Sequence, residues 1–253
     1  MRRFLTIVRV STRQAIGARR TIGLGLFALV PAVVMGLIGS SATDATLLKE
    51  FHGGPLVTIL YAVLPITTLV IGSAAIGDER REATLSFLIL RPMARETIVA
   101  AKLVSAFLAS YLLVGGSTFV TVAVLGVRSG YWSPLAPGLV AAALGTLAFT
   151  SLAMLLGYLT SRAVLIGLAY LVVMENGLSL AIDALATISL IRIGLTAYTA
   201  MLPTRASAVA YSEIDELMAR LAPGVFGATA KAVVIAAVAI GLVAAMLQRR
   251  DVA

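Results

Sequence analysis

Cysteine is absent from this chain of 253 residues, which excludes disulfides and thiolate metal sites. Histidine is nearly absent: His52 stands alone, in what the sequence marks as the loop after the first apolar segment. A histidine metal cluster and a histidine-based dyad within the membrane are thereby excluded. Charge is scarce as well, at 13% of residues, about half the roughly 25% of soluble domains. The few basic residues are not interleaved with aromatics as a nucleic-acid surface requires. Paired Asp-rich motifs and a Ser–His dyad are both missing, which removes the usual membrane-embedded enzymes. The three lysines, Lys49, Lys102 and Lys231, follow Leu48, Ala101 and Ala230. No Gly-Lys-Ser/Thr phosphate loop is therefore present.

Apolar residues fill the space that charge leaves. They make up 60% of the chain, with a mean hydropathy of +1.01, and a stretch of about 20 is enough to cross a bilayer. Six stretches qualify, near 22–40, 56–77, 98–127, 136–160, 163–183 and 228–247. The expected fold is an all-α membrane protein forming one transmembrane domain over residues 1–253. Pro31 and Pro65 fall inside the first two stretches, where they can kink a helix. Ala237, Gly241 and Ala245 repeat at every fourth position of the last, a spacing that permits close helix contact. The first stretch follows about twenty residues carrying six arginines, an arrangement that suits an anchor better than a cleaved signal.

Orientation follows from the basic residues. With the N-terminus inside, Arg2, Arg3, Arg9, Arg13, Arg19, Arg20, Arg80, Arg81, Arg91, Arg95, Lys102, Arg162, Arg249 and Arg250 share one side, and only Lys49, Arg128, Arg192, Arg205, Arg220 and Lys231 fall on the other. Six spans with both termini cytoplasmic fit that bias, in the inner membrane of a cell. The segment 184–227 then lies outside. It holds an apolar stretch at 184–202 interrupted by Arg192, which reads as a re-entrant or interfacial helix, or alternatively as a seventh span. It also holds the acidic helical stretch 212–221.

Two segments are amphipathic. Over residues 1–21, Arg2, Arg9, Arg13 and Arg20 align along one helical face, opposite Phe4, Val8, Ser11 and Ala15. That is the pattern of a helix in the headgroup layer of the lipid, the alternative being a basic flank that only sets topology. Over 78–97, Thr84 can cap a short helix, Leu85, Leu88 and Ile89 recur at helical spacing, and Pro92 stops it. Glu79 and Glu82 precede this helix and Arg91 and Arg95 follow it, each suited to the nearer end of the helix dipole.

Glu79-Arg80-Arg81-Glu82-Ala83-Thr84-Leu85, followed by Phe87-Leu88-Ile89 and Arg91-Pro92-Met93-Ala94-Arg95, resembles the coupling region of type 2 ATP-binding-cassette (ABC) exporter permeases. Their pattern is acidic residues, Gly-Thr-Leu, an apolar stretch and Pro-Val-Ser-Arg, then an apolar helix that often carries an early lysine, as Lys102 does here. Ala83, Met93 and Ala94 depart from it. The resemblance implies a dimer, with an identical or a related permease chain, whose short cytoplasmic helices seat in separate P-loop ATPase subunits. ATP and Mg would be bound by that partner and no cofactor by this chain. The residues so implicated are Glu79, Glu82, Thr84, Leu85, Leu88, Arg91, Pro92 and Arg95. Few charges in the spans favour an amphiphilic cargo such as a lipid, peptide antibiotic or drug.

Polar residues inside the spans are the remaining candidates. Glu175 and Asn176 lie in the fifth stretch, and Tyr111 and Thr118, with Ser117 and Thr121, in the third. Glu175 can line a substrate path, titrate or bind a cation, in which case an ion-coupled secondary transporter is the alternative function. Pairing with Lys231 is the structural reading of the same residue. The hydroxyls can face a cavity or bond back to their own helix.

Overall fold

The computed structural model describes residues 2–17, 19–38, 44–81, 94–178, 189–203 and 224–249, and among them it is helical with no strand. An N-terminal helix α1 (Arg2–Gly17) precedes α2 (Arg19–Ala28) and α3 (Val30–Leu37). The break between α2 and α3 falls at Leu29, two residues before Pro31, whose missing N–H and fixed ring end the first run. Next come α4 (Asp44–Phe51), two π-helical turns (His52–Leu56 and Ile59–Val63) and α5 (Leu64–Arg81). Together they form an unbroken helical run. The chain continues through α6 (Arg95–Ser129), α7 (Leu135–Leu159), α8 (Ala163–Tyr170) with a π-helical extension (Leu171–Leu178), α9 (Ile191–Met201) and α10 (Gly224–Arg249).

Among the described residues, five helical runs are long and apolar enough to cross a membrane: Arg19–Leu37, Thr46–Arg81, Arg95–Ser129, Leu135–Leu159 and Gly224–Gln248. The fifth expected stretch appears as the shorter Ala163–Glu175. Helix α9 has 11 residues and so a length of about 16 Å, half of a hydrocarbon core of about 30 Å. Its residues from Ile191 to Thr199 are all buried, against α7 and α10.

One expectation changes and two gain detail. His52 is not in a loop: the helix runs straight through His52-Gly-Gly-Pro55, because widened π turns accommodate Pro55 and the Thr58 hydroxyl donates to the Gly54 carbonyl at 3.0 Å. The imidazole is consequently fully buried. The apolar face of α1 does not meet lipid alone; Phe4, Ile7 and Val8 pack on Ala101 of α6, while Arg9 and Arg13 remain exposed. The face of α10 that packs inward is Ala228, Ala232, Ala236, Ala239 and Val243, and the stripe Ala237, Gly241 and Ala245 points away from the bundle.

The centre of the bundle is the crossing of α5 and α7. A Cβ on Gly157 would collide with the Ser73 backbone, and one on Gly77 would lie 3.0 Å from the Gly157 carbonyl oxygen. Backbones this close leave no room for a side chain at either glycine. The apolar core extends from Met35 and Phe51 through Leu56, Leu64 and Phe149 to Tyr198.

Candidate functional site

The sequence between α5 and α6 is the charged segment singled out above, and the structure describes its two flanks. Glu82, Thr84, Leu85, Leu88, Arg91 and Pro92 lie outside the described residues; Glu79 and Arg95 lie within them. Each flank is tied down. The Lys102 ammonium pairs with the Glu79 carboxylate across the gap between α5 and α6, its side chain only 8% exposed and that of Glu79 20%. Arg80 donates to the Tyr158 carbonyl at the end of α7, with its guanidinium 5.6 Å from the centre of the Tyr158 ring. Arg95 donates to the Leu247 carbonyl near the end of α10 at 2.8 Å. Both arginines thus satisfy carbonyls that a helix C-terminus leaves open, at the negative end of its dipole. Asp78 completes the frame, accepting from Arg20 of α2 at 3.0 Å and from Arg81.

Sequence reasoning did not single out Asp78, Arg80 and Tyr158. It noted Lys102 only as part of a pattern, although a lysine at the head of a stretch with no charge from Leu103 to Val127 is itself a signal that an acid lies opposite.

The opposite end of the bundle holds a buried polar cluster. Glu175 is 2% exposed, and its carboxylate accepts from the Tyr170 hydroxyl at 3.0 Å, from the Leu190 N–H at 2.7 Å and from the Ser189 hydroxyl. The π turn explains the first contact, since it brings residues five apart onto one face. The other two contacts fix the start of α9, where the Arg192 N–H is 3.3 Å from the Ser189 hydroxyl oxygen. Glu175 therefore caps the first turn of a buried helix from a neighbouring segment. Asn176 follows in the same π turn, its side chain outside the described residues.

His52 holds α9 one turn and a half further along. A carbonyl only accepts, so His52 Nδ1, 2.7 Å from the Leu48 carbonyl oxygen, carries the proton. In the neutral ring Nε2 then accepts from the Tyr198 hydroxyl at 2.9 Å. Tyr111 and Thr118 serve their own surroundings: the Tyr111 hydroxyl reaches the Leu139 carbonyl at 3.4 Å and its ring stacks on Phe107, and Thr118 donates to Val114 at 2.9 Å. Thr121 likewise donates to Ser117 at 2.7 Å.

The described helices are apolar runs long enough to cross a membrane, joined at one end by a charged segment whose flanks are tied to the bundle. The model of a family described as ABC-2 family transporter protein matches residues 18–182. The chain belongs to that family. The match runs from α2 through the charged segment and on past Glu175, and it leaves α1, α9 and α10 outside. No curated protein matches the chain. An ABC-2 permease is a multi-pass membrane subunit for transport, generally non-catalytic, that normally works with an ATP-binding cassette subunit. This chain is such a transport permease.

Proposed function

We propose that the chain is the force-receiving permease of an ATP-driven exporter, with residues 78–97 as the segment that a P-loop ATPase grips. The observation that carries this reading is the set of ties at its flanks. Glu79–Lys102, Arg80–Tyr158 and Arg95–Leu247 connect both ends of the segment to α5, α6, α7 and α10. A push on Leu85 and Leu88 would not be lost in slack loop ends; it would reach four helices at once. ATP and Mg belong to the ATPase, and this chain needs no cofactor.

Alternating access in this proposal needs a second permease chain, identical or related, facing the first across the cargo path. Both termini and the segment 78–97 face the cytoplasm of a cell whose inner membrane holds the complex, the side that the basic residues favour. The cargo is amphiphilic. An ion-coupled transporter using Glu175 is less well supported, because its carboxylate already receives three protein donors.

The test is purification of a tagged chain from its host in mild detergent, beside a Leu85→Asp/Leu88→Asp variant. The expected result is a near-stoichiometric P-loop ATPase with the parent chain, lost in the variant while the permease elutes as before. Recovery of the parent without an ATPase, under conditions that preserve other membrane complexes, would overturn the proposal.

A further inference from the structure

A cavity of about 280 Å³ lies between α1, α2, α5 and α6 at the charged end of the bundle. It is about twenty times the roughly 10–15 Å³ that one water needs. Its wall has two distinct parts. Ile71, Ala74, Ala75 and Ala106 form an apolar floor, and Ser11, Gln14, Arg20, Asp78, Glu79 and Lys102 bring polar groups from three directions.

The charges on that wall cancel: two cations, Arg20 and Lys102, face two carboxylates, Asp78 and Glu79. They are layered by depth. The Arg20–Asp78 pair sits at the mouth, with side chains 40% and 32% exposed, and the Lys102–Glu79 pair lies further in. A ligand of one sign would meet two groups of its own sign at short range, and a neutral apolar one would strip water from four charges. A ligand carrying both signs on neighbouring atoms can place each against its opposite. Arg20 has guanidinium N–H groups beyond the one that reaches Asp78, and Gln14 and Ser11 add donors and acceptors.

The setting determines which zwitterion arrives. Two residues after Arg20, Ile22 begins the lipid-facing row of the first span, exposed together with Leu26. Arg20 stands one residue inside the start of the candidate span Arg19–Leu37, which puts the mouth of the cavity at the end of that span, where headgroups meet hydrocarbon once it crosses a bilayer. The amphipathic helix α1 roofs it, with Arg9 and Arg13 exposed on the helix surface as in a helix among phosphates.

We infer that this cavity binds an aminoalkyl phosphate zwitterion, the headgroup of a phosphatidylethanolamine-type lipid, with phosphate at Arg20 and the ammonium toward Asp78 and Glu79. The acyl chains would leave along Ile22 and Leu26. Such a lipid would wedge α1 against α5 and α6 next to the driven segment, so its presence would set how firmly α1 rides with the bundle.

The experiment is native mass spectrometry of the full chain, purified in detergent and offered phosphatidylethanolamine and phosphatidylglycerol of identical acyl composition in equal amounts. The expected result is retention of phosphatidylethanolamine about tenfold above phosphatidylglycerol, the effect of one hydrogen bond to a charged group. Ala75→Leu fills the floor and leaves both ion pairs in place; Gln14→Trp blocks the mouth from an exposed position on α1. Each should bring the ratio close to one. Equal retention by the parent chain, or a preference that survives in a folded Gln14→Trp protein, overturns the proposal. Soluble phosphoethanolamine is the control for source: if it is retained where the lipid is not, the ligand is a free solute and the lipid assignment falls.

Discussion

The two ends of this bundle solve the same problem in opposite ways. At the end with the charged segment, polar residues come as ions in pairs, Arg20 with Asp78 open to water and Lys102 with Glu79 largely buried. At the far end the buried cluster is held by directed hydrogen bonds, three donors on Glu175 and the Tyr198 hydroxyl on His52. Water explains the contrast. Where water can reach, a lost partner is replaced by solvent, and ion pairs are tolerant of movement. Inside the bundle nothing substitutes, so each group needs its partner in one geometry. The exposed Arg20–Asp78 pair suits a part that can shift, whereas the largely buried Lys102–Glu79 pair and the far-end cluster suit parts that must hold still.

The sharpest way to break the comparison is to remove Glu175. Glu175→Ala would orphan the Tyr170 and Ser189 hydroxyls and the Leu190 N–H, at about 1–2 kcal/mol each, or about 3–6 kcal/mol together. The unfolding midpoint in detergent should fall accordingly, and because α9 loses its cap, hydrogen exchange in Ile191–Met201 should rise before that of α7. Glu175→Gln, which keeps one acceptor oxygen, should lose less. An alanine variant as stable as the parent would show that the cluster holds nothing.

Lys102→Ala comes next. Breaking a fully buried ion pair costs about 3–5 kcal/mol, and the 20% exposure of the Glu79 side chain lets water recover part of that, so about 2–3 kcal/mol is expected from the same unfolding curve. Adding Glu79→Gln should restore most of the loss, since the stranded charge is then gone too. If the double variant is no better than the single one, Lys102 stabilises α6 by some route other than Glu79.

How far these features were legible in the sequence depends on the kind of signal. Long apolar stretches are one-dimensional, and five of the six expected positions coincide with long helical runs. The charged flanks were equally plain, because Glu79 and Arg95 announce themselves by charge next to apolar sequence. What was hidden is partnership across distance. Nothing near Arg80 in the sequence points to the carbonyl of Tyr158, and nothing near Glu175 points to the backbone of Leu190. His52 was misplaced for a local reason: Gly53-Gly54-Pro55 carries every signal of a turn, and a π-helical widening that absorbs proline has no composition of its own. Arg128 counted against the charge bias, and its guanidinium turns out to be occupied with the Met35 and Ile38 carbonyls at 2.8 and 2.6 Å, closing the end of α3.

Tyr198→Phe tests the second contact on α9. It removes one hydroxyl and leaves His52 Nε2 without that donor inside the bundle, a loss of about 1–2 kcal/mol. The ring keeps its packing, so the change should appear in stability and not in the helical content measured by circular dichroism. A side effect separates this variant from a cavity-making one: replacing His52 as well, by Leu, should recover part of the loss, because no stranded nitrogen remains.

The smallest effect belongs to Arg20→Gln, and its smallness is what the comparison requires. The Arg20–Asp78 pair is exposed on both sides, so its contribution is about 0.2–1 kcal/mol and is screened by salt. Asp78 keeps Arg81 as a second partner, which reduces the cost further. The unfolding midpoint should move little at low salt and not measurably at high salt, while the corresponding shift for Glu175→Ala should be independent of salt. A large, salt-insensitive loss in Arg20→Gln would mean that the α1–α2 corner is as rigidly built as the far end, and that the charged end does not move relative to the bundle in the way its exposed pairs allow.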